Sequence, residues 1–263
     1  MPTKDAGADR PPFVEARTLV KLFGGMRVVD GVSISLAHGE MVGLIGPNGA
    51  GKTTMFNLLA GSLKPTSGEI RIDGVDISRE GPDKRLMRGL GRTFQIPRPF
   101  GEMTVLENVL TGAQGQTGET HWMNFLRPGR VAAEEKAAVE KARGLLDFLL
   151  LERLALEPAR VLSGGQRKLL ELARILMADP QAILIDEPAA GVNPALLELI
   201  IDKIRALHAQ GKTILIIEHN MEMVNRLCGR VVVMAAGKVL AQGKPADVAR
   251  DPAVINAYLG GAA

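Results

Sequence analysis

Cysteine occurs once in the chain, at Cys228, which excludes an internal disulfide and a cluster of thiolate metal ligands. Long hydrophobic runs are also missing. Apolar residues make up 46% of the 263 residues, yet none of their runs approaches the roughly 18–20 needed to cross a bilayer. The longest, such as 182–185 and 213–217, have strand length. Charge of one sign is scarce as well. A net charge of +3 is too small to argue for a nucleic-acid partner, and there is no basic tail, heptad run or internal repeat. The first residues, MPTKDAGADRPP, lack the apolar middle of a signal peptide and are expected to form a disordered lead over 1–12. What remains is long enough to bury a sizeable core.

Short β-type runs alternate with helical patterns, which predicts an α/β fold with parallel strands. Phe13–Phe23 and Val28–Leu36 alternate apolar and polar residues and are expected to pair antiparallel. Further strands are expected at Met41–Ile45, Glu69–Ile72, Gly91–Gln95, Ala182–Asp186 and Thr213–Ile217. A hairpin is expected from Arg230–Met234 and Lys238–Gln242 around Ala-Ala-Gly. Helices are expected over Lys52–Ala60 and Ala133–Leu151, from Pro194, and from Asn220. Thr104 with Glu107, and Ser163 with Gln166, have the spacing of capping boxes. Leu169, Leu172, Ala173 and Leu176 give the second of these helices an apolar stripe. Asp251-Pro252 reads as an N-cap with Pro at the first helical position. Residues 112–133 are irregular and read as a surface insertion.

Gly46-Pro47-Asn48-Gly49-Ala50-Gly51-Lys52-Thr53 matches GxxxxGK[ST] and lies between an expected strand and an expected helix, the context this phosphate-binding loop requires. Its glycines let backbone N–H groups curl round phosphate oxygens, and the helix N-terminus adds partial positive charge. Asn48, Gly49, Ala50, Gly51, Lys52, Thr53 and Thr54 are therefore the expected nucleotide-binding residues. Lys52 would reach the β/γ-phosphates, and the Thr53 hydroxyl would ligate Mg²⁺. The apolar strand Ala182–Ile185 ends in Asp186 and Glu187. That pattern alone is common. Beside a phosphate loop it suits an aspartate that holds the metal through water and a carboxylate that acts as general base.

Leu162-Ser163-Gly164-Gly165-Gln166 completes the pattern. Its capping-box spacing is already a good helix start, but LSGGQ in this order resembles the signature of ATP-binding-cassette (ABC) proteins. The resemblance runs from about Phe13 to Gly260. It implies an α/β P-loop NTPase with a mixed parallel core sheet, an antiparallel β part and a helical subdomain. The division expected is 13–95 with 180–243 as the core and β part, 96–179 as the helical subdomain, and 244–260 as a C-terminal helical tail.

It also implies roles. Gln95 looks like the glutamine that contacts metal or attacking water, His219 like the switch histidine that meets the γ-phosphate, and Phe23 like the aromatic that stacks on adenine. Ser163, Gly164, Gly165 and Gln166 would face, in trans, the ATP held by a second ABC ATPase subunit, in a homo- or heterodimer. Asn193 stands where many family members carry Asp. The other implied partners are transmembrane permease subunits, docking around Gln95–Phe100 with Pro97 and Pro99, and through them an extracytoplasmic solute-binding protein. The implied location is peripheral, on the cytoplasmic face of the inner or plasma membrane.

Within the family, LFGGMRVVDGVS, GRTFQIPRPFGEMTVLENVL, EPAAGVNP, IIEHNMEMV and the tail Ala257-Tyr258-Leu259-Gly260 resemble the ATPase subunits of branched-chain amino acid importers. Importers of urea and amides share similar strings, so these are the alternative. A soluble cassette acting on DNA or ribosomes would usually join two cassettes or carry a long coiled coil, and this chain does neither. A regulatory nucleotide-binding module without turnover is disfavoured by Glu187 and His219. No chemistry attaches to Trp122, Cys228 or Tyr258.

Overall fold

The structure is a computed structural model that describes residues 10–93, 98–115 and 128–259. Gln95, Pro97, Trp122, Gly260 and most of the expected N-terminal lead lie outside the described residues.

β1 (Val14–Phe23) and β2 (Met26–Leu36) form the expected antiparallel hairpin, turned through Gly24 and Gly25, both at positive φ. β3 (Met41–Ile45) leads through the phosphate-loop sequence into α1 (Lys52–Ala60). β4 (Ser67–Ile72) and the short β5 (Val75–Asp76) extend the hairpin into a four-stranded antiparallel sheet, β2-β1-β4-β5. α2 (Pro82–Met87), β6 (Leu90–Arg92), α3 (Val105–Leu110) and α4 (Pro128–Phe148) follow. Then come α5 (Gly164–Met177), β7 (Ala182–Asp186), α6 (Pro194–Ala209), β8 (Thr213–Ile217) and α7 (Met221–Leu227). β9 (Arg230–Ala235), β10 (Lys238–Gly243), α8 (Pro245–Val248) and α9 (Pro252–Leu259) close the described chain. The second sheet has the order β10-β9-β3-β8-β7-β6, parallel from β9 to β6, with β10 antiparallel at its edge.

Every residue of β3, β7 and β8 is buried, as expected of parallel strands covered on both faces. Their alternation divides two cores. Ile183, Ile185, Ile214 and Ile216 face the helices, whereas Leu184, Leu215 and Ile217 face α1 and the antiparallel sheet. Gly43 lies close against the helical face, where a Cβ would come within 3.2 Å of Cys228 Sγ, Val224 and Val231. Burial pushes the Cys228 thiol up to about 12, so this sulfur is packing material.

Several strand ends differ from the sequence expectation by one or two residues, β6 ends at Arg92 with Thr93 already outside the strand that was expected over Gly91–Gln95, and both ends of α4 differ more. α4 starts at Pro128, five residues or so before the expected Ala133, because proline is tolerated in a first helical turn. It stops at Phe148, before the expected Leu151, where Leu150 turns to φ +58° and its Cβ disfavours further helix. β5 and α2 were not expected; each is shorter than the periodicity of either element can reveal, whereas α8 falls within the helical tail expected over 244–260.

α1 is held from its C-terminal end. Arg85 on α2 is 1% exposed, and its guanidinium donates to the carbonyls of Leu58 and Leu59 (both 2.6 Å), Ile77 (2.9 Å) and Glu80 (3.0 Å). Burial lowers its pKa to about 10, which leaves it charged at neutral pH against the negative end of the helix dipole. Arg85→Met should therefore strand these carbonyls and cost about 3 kcal/mol, seen as a lower midpoint in urea unfolding.

Candidate functional site

The phosphate loop is shaped by glycines that no other residue could replace. Gly46 sits at φ +147°, and a Cβ on it would lie 2.1 Å from the Met234 carbonyl oxygen. Gly51 occupies the N-cap of α1 at φ +94°, where a Cβ would meet the Val28 carbonyl oxygen at 2.5 Å. The loop is thus pressed against β2 and β9 by its backbone alone. Lys52 folds back across it and donates to the carbonyls of Gly46 (2.7 Å) and Pro47 (2.9 Å). Burial lowers the Lys52 pKa, and the Glu187 carboxylate opposes that shift. Burial raises the pKa of Tyr258 on α9, and the backbone of Gly46 works in the opposite direction.

One open cleft is lined by Val28, Asn48, Gly49, Ala50, Gly51, Lys52, Thr53, Thr54, Glu187 and His219. Residues far apart in sequence thus converge on one face. Glu187 follows β7 at φ +44°, a left-handed conformation that costs a non-glycine residue about 1–2 kcal/mol. Its carboxylate is paired with His219 Nε2 at 2.9 Å. Glu218, 3% exposed at the end of β8, binds both flanking loops. It accepts from the N–H groups of Ala189 (2.7 Å), His219 (2.9 Å) and Asn220 (3.0 Å). Lys168 on α5 donates to the Glu187 carbonyl (2.7 Å) and the Pro188 carbonyl (3.3 Å).

Asp186 is 4% exposed and is not among the residues lining the cleft. Its Oδ2 accepts from Arg92 Nη2 at 3.2 Å, and its N–H donates to Thr93 Oγ1 at 3.0 Å. Burial raises the Asp186 pKa, and the Arg92 guanidinium works in the opposite direction. Arg92 also donates to Asn57 Oδ1 and sits over the Phe56 ring, so the aspartate is tied back to α1.

Ser163 caps α5 in a reciprocal box with Gln166: the Ser163 N–H donates to Gln166 Oε1 at 2.9 Å and the Gln166 N–H to Ser163 Oγ at 3.3 Å. Gly164 is open to solvent. Gly165, expected to be open in the same way, is buried; a Cβ there would meet Leu196 Cδ2 at 2.0 Å. A side chain at Gly165 would therefore have to displace the end of Leu196 on α6. None of Ser163, Gly164, Gly165 or Gln166 lines the phosphate-loop cleft of its own chain. Phe23 ends β1 44% exposed, with the Lys21 ammonium 5.1 Å from its ring centroid, and also lies outside the cleft lining. Asn193 caps α6, accepting from the Leu196 N–H at 2.9 Å, a role that an aspartate would fill equally.

Sequence reasoning passed over Arg92, Lys168 and Glu218. For Glu218 one signal existed, a carboxylate directly after a fully apolar strand. Arg92 and Lys168 sit in ordinary local contexts.

A family model for the ABC transporter matches residues 29–190, and one for the branched-chain amino acid ATP-binding cassette transporter matches residues 238–263. The probable branched-chain amino acid transport ATP-binding protein LivG of Archaeoglobus fulgidus is 40% identical over 248 residues, covering 94% of this chain and 95% of that protein. The high-affinity branched-chain amino acid transport ATP-binding protein BraF of Pseudomonas aeruginosa is 39% identical over 252 residues, covering 95% and 98%. Among solved structures, a nucleotide-free ATP-binding cassette from an ABC transporter superposes with a TM-score of 0.82 at 38% identity, covering 94% of this chain and 98% of that one. A dimeric cassette bound to ADP and Pi in a post-hydrolysis state gives 0.71 at 26% identity, covering 88% and 98%. With the motifs in order, the sheets in this topology and relatives matching over nearly their whole length, the chain belongs to the ABC transporter family as an ATP-binding cassette.

Proposed function

We propose that this chain is the ATP-hydrolysing subunit of an importer for branched-chain or related amino acids. The observation that carries the hydrolytic part is the convergence of the phosphate loop, Glu187 and His219 on one cleft. Asn48 to Thr54 would bind the phosphates through backbone N–H groups and the Lys52 ammonium, which exchanges two carbonyls for phosphate oxygens. Glu187 would take a proton from the attacking water, and His219, already hydrogen-bonded to it, would hold that carboxylate and meet the γ-phosphate. Phe23, exposed near the hairpin turn, would stack on adenine.

The oxygen donors present fit Mg²⁺: the Thr53 hydroxyl in the cleft, with Asp186 acting through water because it is buried and held by Arg92. Gln95 would be the further ligand. Bound there, the ion would neutralise charge on the phosphates.

The signature residues lie away from their own cleft, which favours a paired arrangement in which Ser163 to Gln166 complete the site of a second ATPase subunit. The dimeric neighbour bound to ADP and Pi supports it. The import of branched-chain amino acids rests on the LivG and BraF names and on the match at 238–263. Among the described residues no helix is long and apolar enough to cross a membrane. In the proposed importer the passage would belong to permease subunits, and this chain would sit on their cytoplasmic side. These subunits would dock near Phe100, which is 52% exposed, and would connect to an extracytoplasmic solute-binding protein.

Ser163→Arg tests the paired site. It should leave nucleotide affinity within about twofold and reduce phosphate release by about 100-fold, because the arginine would occupy the partner's γ-phosphate position. Undiminished phosphate release would remove the signature from the reaction.

A further inference from the structure

The turn that presents Glu187 is clamped from three sides. Its own N–H donates to the Ile217 carbonyl at 3.0 Å, which ties it to β8. Its carbonyl, with that of Pro188, accepts from the Lys168 ammonium. The next N–H, of Ala189, is held by the buried Glu218 carboxylate, which also fixes the N–H groups of His219 and Asn220. A residue at φ +44° relaxes toward ordinary φ when its neighbours release it, and such a rotation would swing the side chain off the cleft. The clamp therefore bears on where the carboxylate points.

Lys168 is the fifth residue of α5, whose N-cap is Ser163. The helix that begins at the signature thus grips the backbone of the candidate base in the same chain. A rigid rotation or shift of α5 would be delivered to Glu187 through one ammonium group. The contact spans 19 residues of sequence and joins two elements with separate tasks.

We propose that Lys168, with Glu218 on the opposite side of the turn, is a positioning residue for ATP hydrolysis that holds the Glu187–Ala189 turn in its base-presenting conformation. Neither side chain needs to touch nucleotide to do this. The inference rests on the hydrolytic reading given above. In the paired arrangement it has a consequence: α5 meets the partner's nucleotide at its N-terminus and its own chain's Glu187 through Lys168, so engagement of one site is passed mechanically to the base of the other.

The test compares Lys168→Met and Lys168→Arg with the unaltered full-length chain, measuring kcat for phosphate release and the Kd for magnesium-ATP. Lys168→Met should lower kcat tenfold or more with Kd within twofold. Lys168→Arg, which can still donate to two carbonyls, should return kcat to within threefold of the unaltered chain. A Lys168→Met kcat within twofold of the unaltered chain, or a loss of affinity as large as the loss of kcat, overturns the proposal. If Lys168→Met does not fold, Glu218→Gln is read the same way, and an unchanged kcat there overturns it too. An unaltered chain without turnover would instead remove the hydrolytic reading itself, a separate failure visible before any variant is made.

Discussion

Glu187→Gln should abolish turnover while leaving ATP bound. The amide keeps the volume of the carboxylate and can still hydrogen-bond His219, but it cannot accept a proton from water. Loss of a positioned general base costs about 10²–10⁴ in rate, so kcat should fall by that factor with the magnesium-ATP Kd unchanged. A second effect follows in the paired arrangement. With cleavage blocked, the ATP-bound pair should accumulate, visible as a shift to twice the mass in size-exclusion chromatography with ATP and its reversal with ADP. Hydrolysis persisting at the unaltered rate would exclude Glu187 as the base, and the pair with His219 at 2.9 Å would then be a structural contact.

Lys52→Ala should act earlier, on binding. In this structure Lys52 is 6% exposed and its ammonium satisfies two loop carbonyls, Gly46 and Pro47. Nucleotide phosphates would compete for the same charge. Hydrogen bonds to charged groups contribute about 1.5–3 kcal/mol, so removing the ammonium should weaken ATP affinity about 10- to 100-fold. Titration calorimetry would measure it. An unchanged Kd would mean that the backbone of the loop alone holds the phosphates, contrary to the role given to Lys52.

How much of this was legible in the sequence follows from the range over which each feature acts. β3, α1, β7 and β8 were readable to the residue, because an apolar run bounded by a glycine turn or an acid is a local pattern. Both capping boxes formed as expected, since three residues carry the whole interaction. The hairpin of β9 and β10 was readable from Ala-Ala-Gly, although Ala236 at φ +46° stands where Asn is the usual choice. The motif pattern named Asn48 to Thr54, Glu187 and His219, which line one cleft, but it could not say that Asp186 is buried on Arg92 and outside that lining.

Other features depend on distant partners. Gly165 reads as part of an open signature, yet its packing is decided by Leu196 on another helix. Arg85 looks like a surface arginine of a short polar helix until the carbonyls at the end of α1 are seen around it. Asn108, fully buried, looks like a helix-surface amide but holds the loop before it: its Nδ2 donates to the carbonyls of Phe100 and Thr104, and its Oδ1 accepts from the Phe100 N–H. The Lys168–Glu187 and Glu218–Ala189 contacts belong to the same class. Each joins elements whose adjacency is set by sheet order, and sheet order is not a local property of sequence.

In the proposed mechanism two copies of this cassette, or one copy and a related subunit, meet before ATP is cleaved, because the signature lies outside the cleft of its own chain. The most direct measurement is phosphate release per chain as a function of protein concentration for the purified chain in saturating magnesium-ATP. A rate per chain that rises with concentration, or with added partner subunit, and then saturates is the expected result. A constant rate per chain at every dilution, reached by monomers, would contradict it.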